Sequence, residues 1–151
     1  MTERSRTVHT IRAIRAGDRE SWQVLWNGYL RFYRQHLPQE ITDATFARLL
    51  DERVQPHGLV AERDGKLVGF VHYLFHPTTW SQKDSCYLED LYVDPAARGG
   101  GAGRSLIKAV YAKADQANAA AVYWMTQEFN AEGRALYDTV ARRTSFIRYE
   151  R

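Results

Sequence analysis

Residues 87–111 read YLEDLYVDPAARGGGAGRSLIKAVY, and the order of residue types in this stretch decides the fold. A run of branched and aromatic residues over 85–93 predicts a strand, Pro95 and a glycine cluster stop it, and Leu106, Ala109, Val110 and Ala114 fall on one face of a helix over 105–117. Glycine permits positive φ and lets main-chain amides approach a ligand. The first turn of the following helix adds unpaired N–H groups and a partial positive charge. Together these make a seat for phosphate, with Arg98 and Arg104 beside it to add charge-assisted contacts.

A glycine-rich loop alone is a weak signal, so the alternatives have to be separated. A nucleotide-hydrolysing loop ends in Gly-Lys-Ser/Thr; this one ends Gly103-Arg104-Ser105 and lacks the lysine. A dinucleotide-binding loop follows the first strand and has an acid about 20 residues later, whereas this loop follows a late strand and 117–121 contains no acid. What is left is Arg-x-x-Gly-x-Gly, met by Arg98, Gly101 and Gly103.

Outward from this segment the chain reads as mixed α/β. Residues 8–14 alternate as a first strand, and Asp18 is a candidate cap for a helix carrying Trp22, Leu25, Trp26, Tyr29 and Phe32 in one apolar stripe that ends before Pro38. Thr42 is a candidate cap for a second helix with Phe46, Leu49 and Leu50 facing inward. Strands over 58–63 and 67–75 are joined by Asp64-Gly65, a two-residue hairpin turn. After the loop and its helix come a strand over 120–126, a helix capped by Asn130 and running to about 142, and a last strand over 144–149.

The chain has 151 residues, 44% hydrophobic and 26% charged, without internal repeats or a low-complexity linker, so it is read as one domain over 1–151. No apolar run approaches the roughly 20 residues that cross a bilayer and no basic-then-apolar leader opens the sequence, which places the protein in the cytoplasm, away from membranes. The single Cys86 excludes an internal disulfide framework and reads as a small buried hydrophobe. His72 and His76 lie four steps apart on a strand, about 13 Å, too far to share an ion, and no metal is expected. A net charge of +3 is compatible with an anionic ligand. The mixed segment 142–151 gives no nucleic-acid signature.

With Val93 and Arg98-Gly99-Gly100-Gly101-Ala102-Gly103 in their strand, loop and helix, the sequence resembles the GNAT superfamily of acetyl-coenzyme A-dependent N-acetyltransferases. The order of elements is similar over nearly the whole chain, which implies a single-domain α/β GNAT fold with a mixed, mostly antiparallel central sheet flanked by helices. Two further segments, Leu88-Glu89-Asp90-Leu91-Tyr92-Val93 and Asn130-Ala131-Glu132-Gly133-Arg134-Ala135-Leu136-Tyr137, look like the spermidine/spermine and basic-protein acetyltransferase branch. The resemblance implies that Gly99, Gly100, Gly101, Ala102, Gly103 and Arg104, with Arg98, hold the coenzyme pyrophosphate. It places the pantetheine arm on Leu91, Tyr92 and Val93, with Asn130 facing the arm or its thioester end. Two departures stand out: Gly133 occupies a position more often alanine, and 141–146 read ARRTSF where a glycine-aromatic pair usually follows the helix.

Acyl transfer to an amine of pKa near 10 needs a route for the ammonium proton and an acid for the departing thiolate. Glu89 and Asp90 sit in a strand that reads as buried on both faces, and alternation sends them to opposite sides. By resemblance to the polyamine branch Glu89 is the general base, acting through water, and Asp90 a structural acid held by backbone amides or an arginine. Tyr137 lies two helical turns after Asn130 and so on the same face, which suits a phenol donating a proton to the coenzyme A sulfur. A backbone N–H near Val93 is placed to polarise the thioester carbonyl. The stripe Trp22, Trp26, Tyr29, Tyr33 is read as core, part of it lining the acceptor pocket.

The expected function is transfer of acetyl from acetyl-coenzyme A to a primary amine (a polyamine, a lysine side chain of a protein or another small amine) in a ternary complex. The alternative is a catalytically inactive coenzyme A-binding regulatory or interaction module. By family resemblance a homodimer is expected.

Overall fold

The computed structural model describes residues 8–151. Strand β1 (Thr10–Ala13) is followed by helices α1 (Arg19–Phe32) and α2 (Gln39–Leu49), then β2 (His57–Arg63), β3 (Lys66–His76) and β4 (Ser85–Val93). Helix α3 (Ala102–Gln116), β5 (Ala121–Tyr123) and α4 (Ala131–Val140) complete the order. The five strands lie in sequence order in one sheet; neighbours from β1 to β4 are antiparallel and β4 with β5 is parallel. The expected mixed, mostly antiparallel α/β sheet flanked by helices is the observed one.

Strand alternation divides the core between the two faces of the sheet. Val71, Tyr73, Cys86 and Leu88 pack against Leu106, Ile107 and Val110 of α3. On the opposite face Val60 and Phe70 pack against Trp22, Leu25 and Trp26 of α1 and Phe46 and Leu49 of α2. The hairpin between β2 and β3 turns on Asp64 and Gly65, at φ 51° and 75°, both left-handed as a type I′ turn demands.

Four local expectations are corrected. Asp18 stands at the N-cap of α1, but its side chain caps no amide of that helix: the carboxylate accepts the backbone N–H of Arg15 at 2.8 Å and both guanidinium arms of Arg12 at 2.8 and 2.9 Å, a stronger, charge-assisted set. Thr42 is inside α2, which starts after Pro38, and its hydroxyl accepts the Trp26 indole N–H at 3.2 Å. Leu50 lies one residue past α2 and is exposed. Residues 144–149 form no strand: Ala141 leaves α4 at φ −151° without a left-handed reversal, and Phe146, Ile147 and Tyr149 stand exposed. A strand needs a partner ladder, and among the described residues none lies beside this segment.

No helix among the described residues is long and apolar enough to cross a membrane.

Candidate active site

The ladder between β3 and β4 slips one residue in its middle: Asp90 faces His72, Leu88 faces Tyr73, and Glu89 has no opposite number. This bulge cancels the simple alternation expected at Glu89 and Asp90. Glu89 is exposed rather than buried. Its pKa is nevertheless raised, first by partial desolvation and then by the Asp90 charge. Asp90 turns toward α1, accepting the Tyr29 hydroxyl at 2.5 Å and bonding Nδ1 of His72 at 2.9 Å. Its partners are thus a phenol and an imidazole, not the backbone amides or arginine expected.

On its other edge β4 pairs with β5 only from Ser85 to Tyr87. Beyond that point the two strands part, and the edge of β4 from Leu91 to Val93 opens into a cleft of about 450 Å³. An open strand edge offers main-chain donors and acceptors to an extended ligand.

One end of the cleft is the glycine loop. The Asp94 side chain accepts the N–H of Ala96 at 3.0 Å and fixes the turn that leads into it. Arg98 folds back, donating from Nε to the Val93 carbonyl at 3.1 Å and lying 5.8 Å over the Tyr92 ring. Gly99 and Gly101 take φ of 85° and 88°, left-handed values that side-chain-bearing residues rarely adopt. Gly101 is the residue from which α3 starts, so the helix begins three residues earlier than its apolar periodicity suggests. Ala102, Gly103 and Arg104 therefore form the first turn, whose N–H groups have no carbonyl within the helix to bond. A Cβ on Gly103 would come 3.1 Å from Leu136 Cδ2, so glycine there lets α4 approach α3 closely at the mouth of the seat. Left-handed glycines, open helix amides and flanking arginines fit a pyrophosphate.

The opposite wall is α4. Asn130 caps it: Oδ1 accepts the N–H of Gly133 at 3.2 Å, while Nδ2 donates to Thr126 Oγ1 at 3.1 Å. Tyr137 follows two turns later on the same wall, its ring edge-on to Trp124 at 5.5 Å. Burial, with the nearby Tyr33, pushes the Tyr137 phenol up to about 12, so it keeps its proton at neutral pH.

Of the residues singled out in the sequence, Leu91, Tyr92, Val93, Arg98, Gly99, Gly101, Ala102, Gly103, Arg104, Asn130 and Tyr137 line this one cleft. Gly100 points elsewhere, a Cβ on it meeting His9 and Arg63, and Glu89 lies outside the lining. Tyr29 and Tyr33 from the aromatic stripe line the cleft too, while Trp22 and Trp26 are core. His72, weighed in the sequence only as half of a metal pair, does not line the cleft but bonds Asp90 beside it. Its signal was a histidine inside an apolar strand, but its partner becomes visible only once the bulge sets the register.

A model described as the acetyltransferase (GNAT) family matches residues 20–140. The chain is 40% identical over 143 residues to the D-amino-acid N-acetyltransferase HPA3 of Saccharomyces cerevisiae, across 93% of this chain and 89% of that protein. It is 31% identical over 144 residues to the uncharacterized N-acetyltransferase YhfO of Bacillus subtilis, across 92% and 94%. In three dimensions it is similar to a ribosomal-protein-alanine N-acetyltransferase from Brucella melitensis, with a TM-score of 0.80, 23% identity and coverage of 95% and 97%. Sequence likeness over almost the full length and a cleft built from the loop, strand edge and helix that the motif specifies agree: the chain belongs to the acetyltransferase (GNAT) family and is an N-acetyltransferase.

Proposed function

We propose that the protein transfers acetyl from acetyl-coenzyme A to the primary amine of a small molecule by direct attack in a ternary complex. The observation that carries this reading is the placing of the Tyr137 phenol in the same cleft as the glycine-loop phosphate seat and the open edge of β4. Acetyl-coenzyme A supplies the activated acetyl thioester. The amides from Gly99 to Arg104, with Arg98, hold its pyrophosphate, and Leu91, Tyr92 and Val93 pair with its pantetheine arm. Asn130, oriented by its two hydrogen bonds, faces the thioester end.

Glu89 takes the ammonium proton through a water. Its raised pKa brings a carboxylate nearer to neutrality, which improves its match to that task. The main-chain N–H near Val93 polarises the carbonyl under attack. Tyr137, held protonated by its surroundings, gives its proton to the departing thiolate.

An amino acid is the acceptor class best supported, because the relative that is 40% identical is named a D-amino-acid N-acetyltransferase. A polyamine or a lysine side chain, suggested by the motifs around Glu89 and Asn130, shares the primary amine and belongs in the same test. The reading includes a homodimer in the cytoplasm; sedimentation at micromolar concentration separates dimer from monomer.

The test is thiol release from acetyl-coenzyme A over D- and L-amino acids, spermidine and lysine peptides, with the melting temperature followed against coenzyme A. Melting that rises with coenzyme and thiol release with an amine support the proposal. A rise in melting without release by any amine favours the inactive coenzyme-binding module, and no rise at all sinks both.

A further inference from the structure

His72 is 1% exposed in the middle of β3, inside a shell of aromatic rings: its centroid is 4.6 Å from Phe70, 5.5 Å from Trp26 and 6.0 Å from Trp22. An imidazole in such surroundings is costly unless both nitrogens are bonded. Both are. Trp22 Nε1 stands 3.1 Å from His72 Nε2, and Nδ1 stands 2.9 Å from Asp90 Oδ2.

An indole N–H can only donate, so Nε2 must accept and the proton of the neutral ring sits on Nδ1. Nδ1 therefore donates to Asp90. The second Asp90 oxygen accepts from Tyr29. The direction of every bond in the row follows: Trp22 donates to His72, His72 to Asp90, and Tyr29 to the same carboxylate from the cleft side.

Tyr29 has one proton and it is committed to Asp90. Burial and the Asp90 charge raise its pKa well above the ordinary phenol value, so the proton stays on the phenol. What Tyr29 has left for a ligand is lone pairs. Tyr29 lines the cleft, its ring is 4.9 Å from Tyr33, and the carboxylate behind it belongs to the residue directly before Leu91. The end of the cleft that adjoins the bulge thus carries a hydrogen-bond acceptor, Tyr29 Oη, backed by the Asp90 carboxylate.

We infer that Tyr29 Oη, with the Asp90 carboxylate behind it, receives an N–H of the acceptor's ammonium, and that His72 and Trp22 are positioning residues that keep this pair acceptor-only. The inference rests on the amine-acetylation reading and names the group by which that substrate is recognised: a primary ammonium. Binding and proton removal are then divided, Tyr29 and Asp90 holding the amine and Glu89 taking its proton.

Histidine can be replaced so as to keep one bond and lose the other. In His72→Asn the amide nitrogen can occupy the place of Nδ1 and still donate to Asp90; in His72→Gln the amide oxygen can occupy the place of Nε2 and still accept from Trp22, but the donor to Asp90 is gone. Steady-state rates are measured for wild type, Tyr29→Phe and both His72 variants, with the amine of fastest thiol release in the panel above. Tyr29→Phe is expected to raise the acceptor KM about tenfold and to leave the acetyl-coenzyme A KM within about twofold. His72→Asn is expected to stay near the wild-type acceptor KM and His72→Gln to raise it, with the coenzyme-induced melting shift intact in both. An acceptor KM within twofold in Tyr29→Phe, or equal movement in the two His72 variants, overturns the inference. Should the His72 variants fail to fold, Tyr29→Phe decides alone. If wild type turns over no amine, the acetylation reading itself has failed and this inference falls with it.

Discussion

A Cβ on Gly133 would stand 2.5 Å from Asn130 Nδ2, the side chain whose Oδ1 caps α4 by accepting the Gly133 N–H. Glycine near the start of this helix is therefore a condition of the cap. Helix propensity alone says that Gly133→Ala gains about 1 kcal/mol. The contact says that the Asn130 amide must swing away, losing a cap of about the same worth. Thermal unfolding of Gly133→Ala should show no net stabilisation, and, if Asn130 faces the pantetheine arm, coenzyme A titration should show weakened binding. A variant that is more stable and binds coenzyme normally contradicts this.

Tyr137→Phe keeps the ring against Trp124 and removes only the hydroxyl. If the phenol is the general acid, kcat falls on the order of a hundredfold with coenzyme affinity unchanged. Single-turnover thiol release alongside calorimetric coenzyme binding separates the two quantities.

If Glu89 is the base, it acts only when ionised. The rate of the wild-type enzyme should rise through its raised carboxyl pKa and then level off. In Glu89→Gln the reaction depends on amine already deprotonated in solution. The rise should then move up toward the pKa of the amine, with a slope of about tenfold per pH unit below it. A kcat/KM profile that is the same in both enzymes removes Glu89 from this role.

Arg12 holds the Asp18 carboxyl below the usual carboxylate range, through two hydrogen bonds and charge in a largely buried site. A depressed folded-state pKa stabilises above the unfolded value and loses that contribution as pH falls through the folded one. Asp18→Asn should cost roughly 2 kcal/mol at neutral pH and flatten the acid side of the stability curve. Urea unfolding of both proteins from neutral pH down to about pH 3 reads the difference.

Much of this was legible in the chain. The glycine loop, the Asp64-Gly65 turn, β4 from Ser85 to Val93 and the Asn130 cap each depend on local chemistry, and each stands where the sequence puts it. What depended on register or on a partner was not legible. Alternation at Glu89 and Asp90 fails because one inserted residue in β4 shifts the ladder, and nothing local announces it. Thr42 has the chemistry of a cap, but Pro38 opens the helix earlier and the hydroxyl bonds Trp26 instead. Residues 144–149 have strand-like composition and no ladder to join. His72 acquires a role only through Trp22 and Asp90, 50 and 18 positions away.

With Tyr137 as the acid, acetyl transfer to a primary amine in this cleft is expected to leave an N-acetylated product. Its most direct measurement is mass spectrometry of the amine after incubation with acetyl-coenzyme A and either wild type or Tyr137→Phe, over the D-amino acid series. The expected result is an N-acetylated amino acid with wild type and a yield lower by about a hundredfold at equal time with the variant. Equal yields, or no acetylated amine from a protein that binds coenzyme A, contradict it.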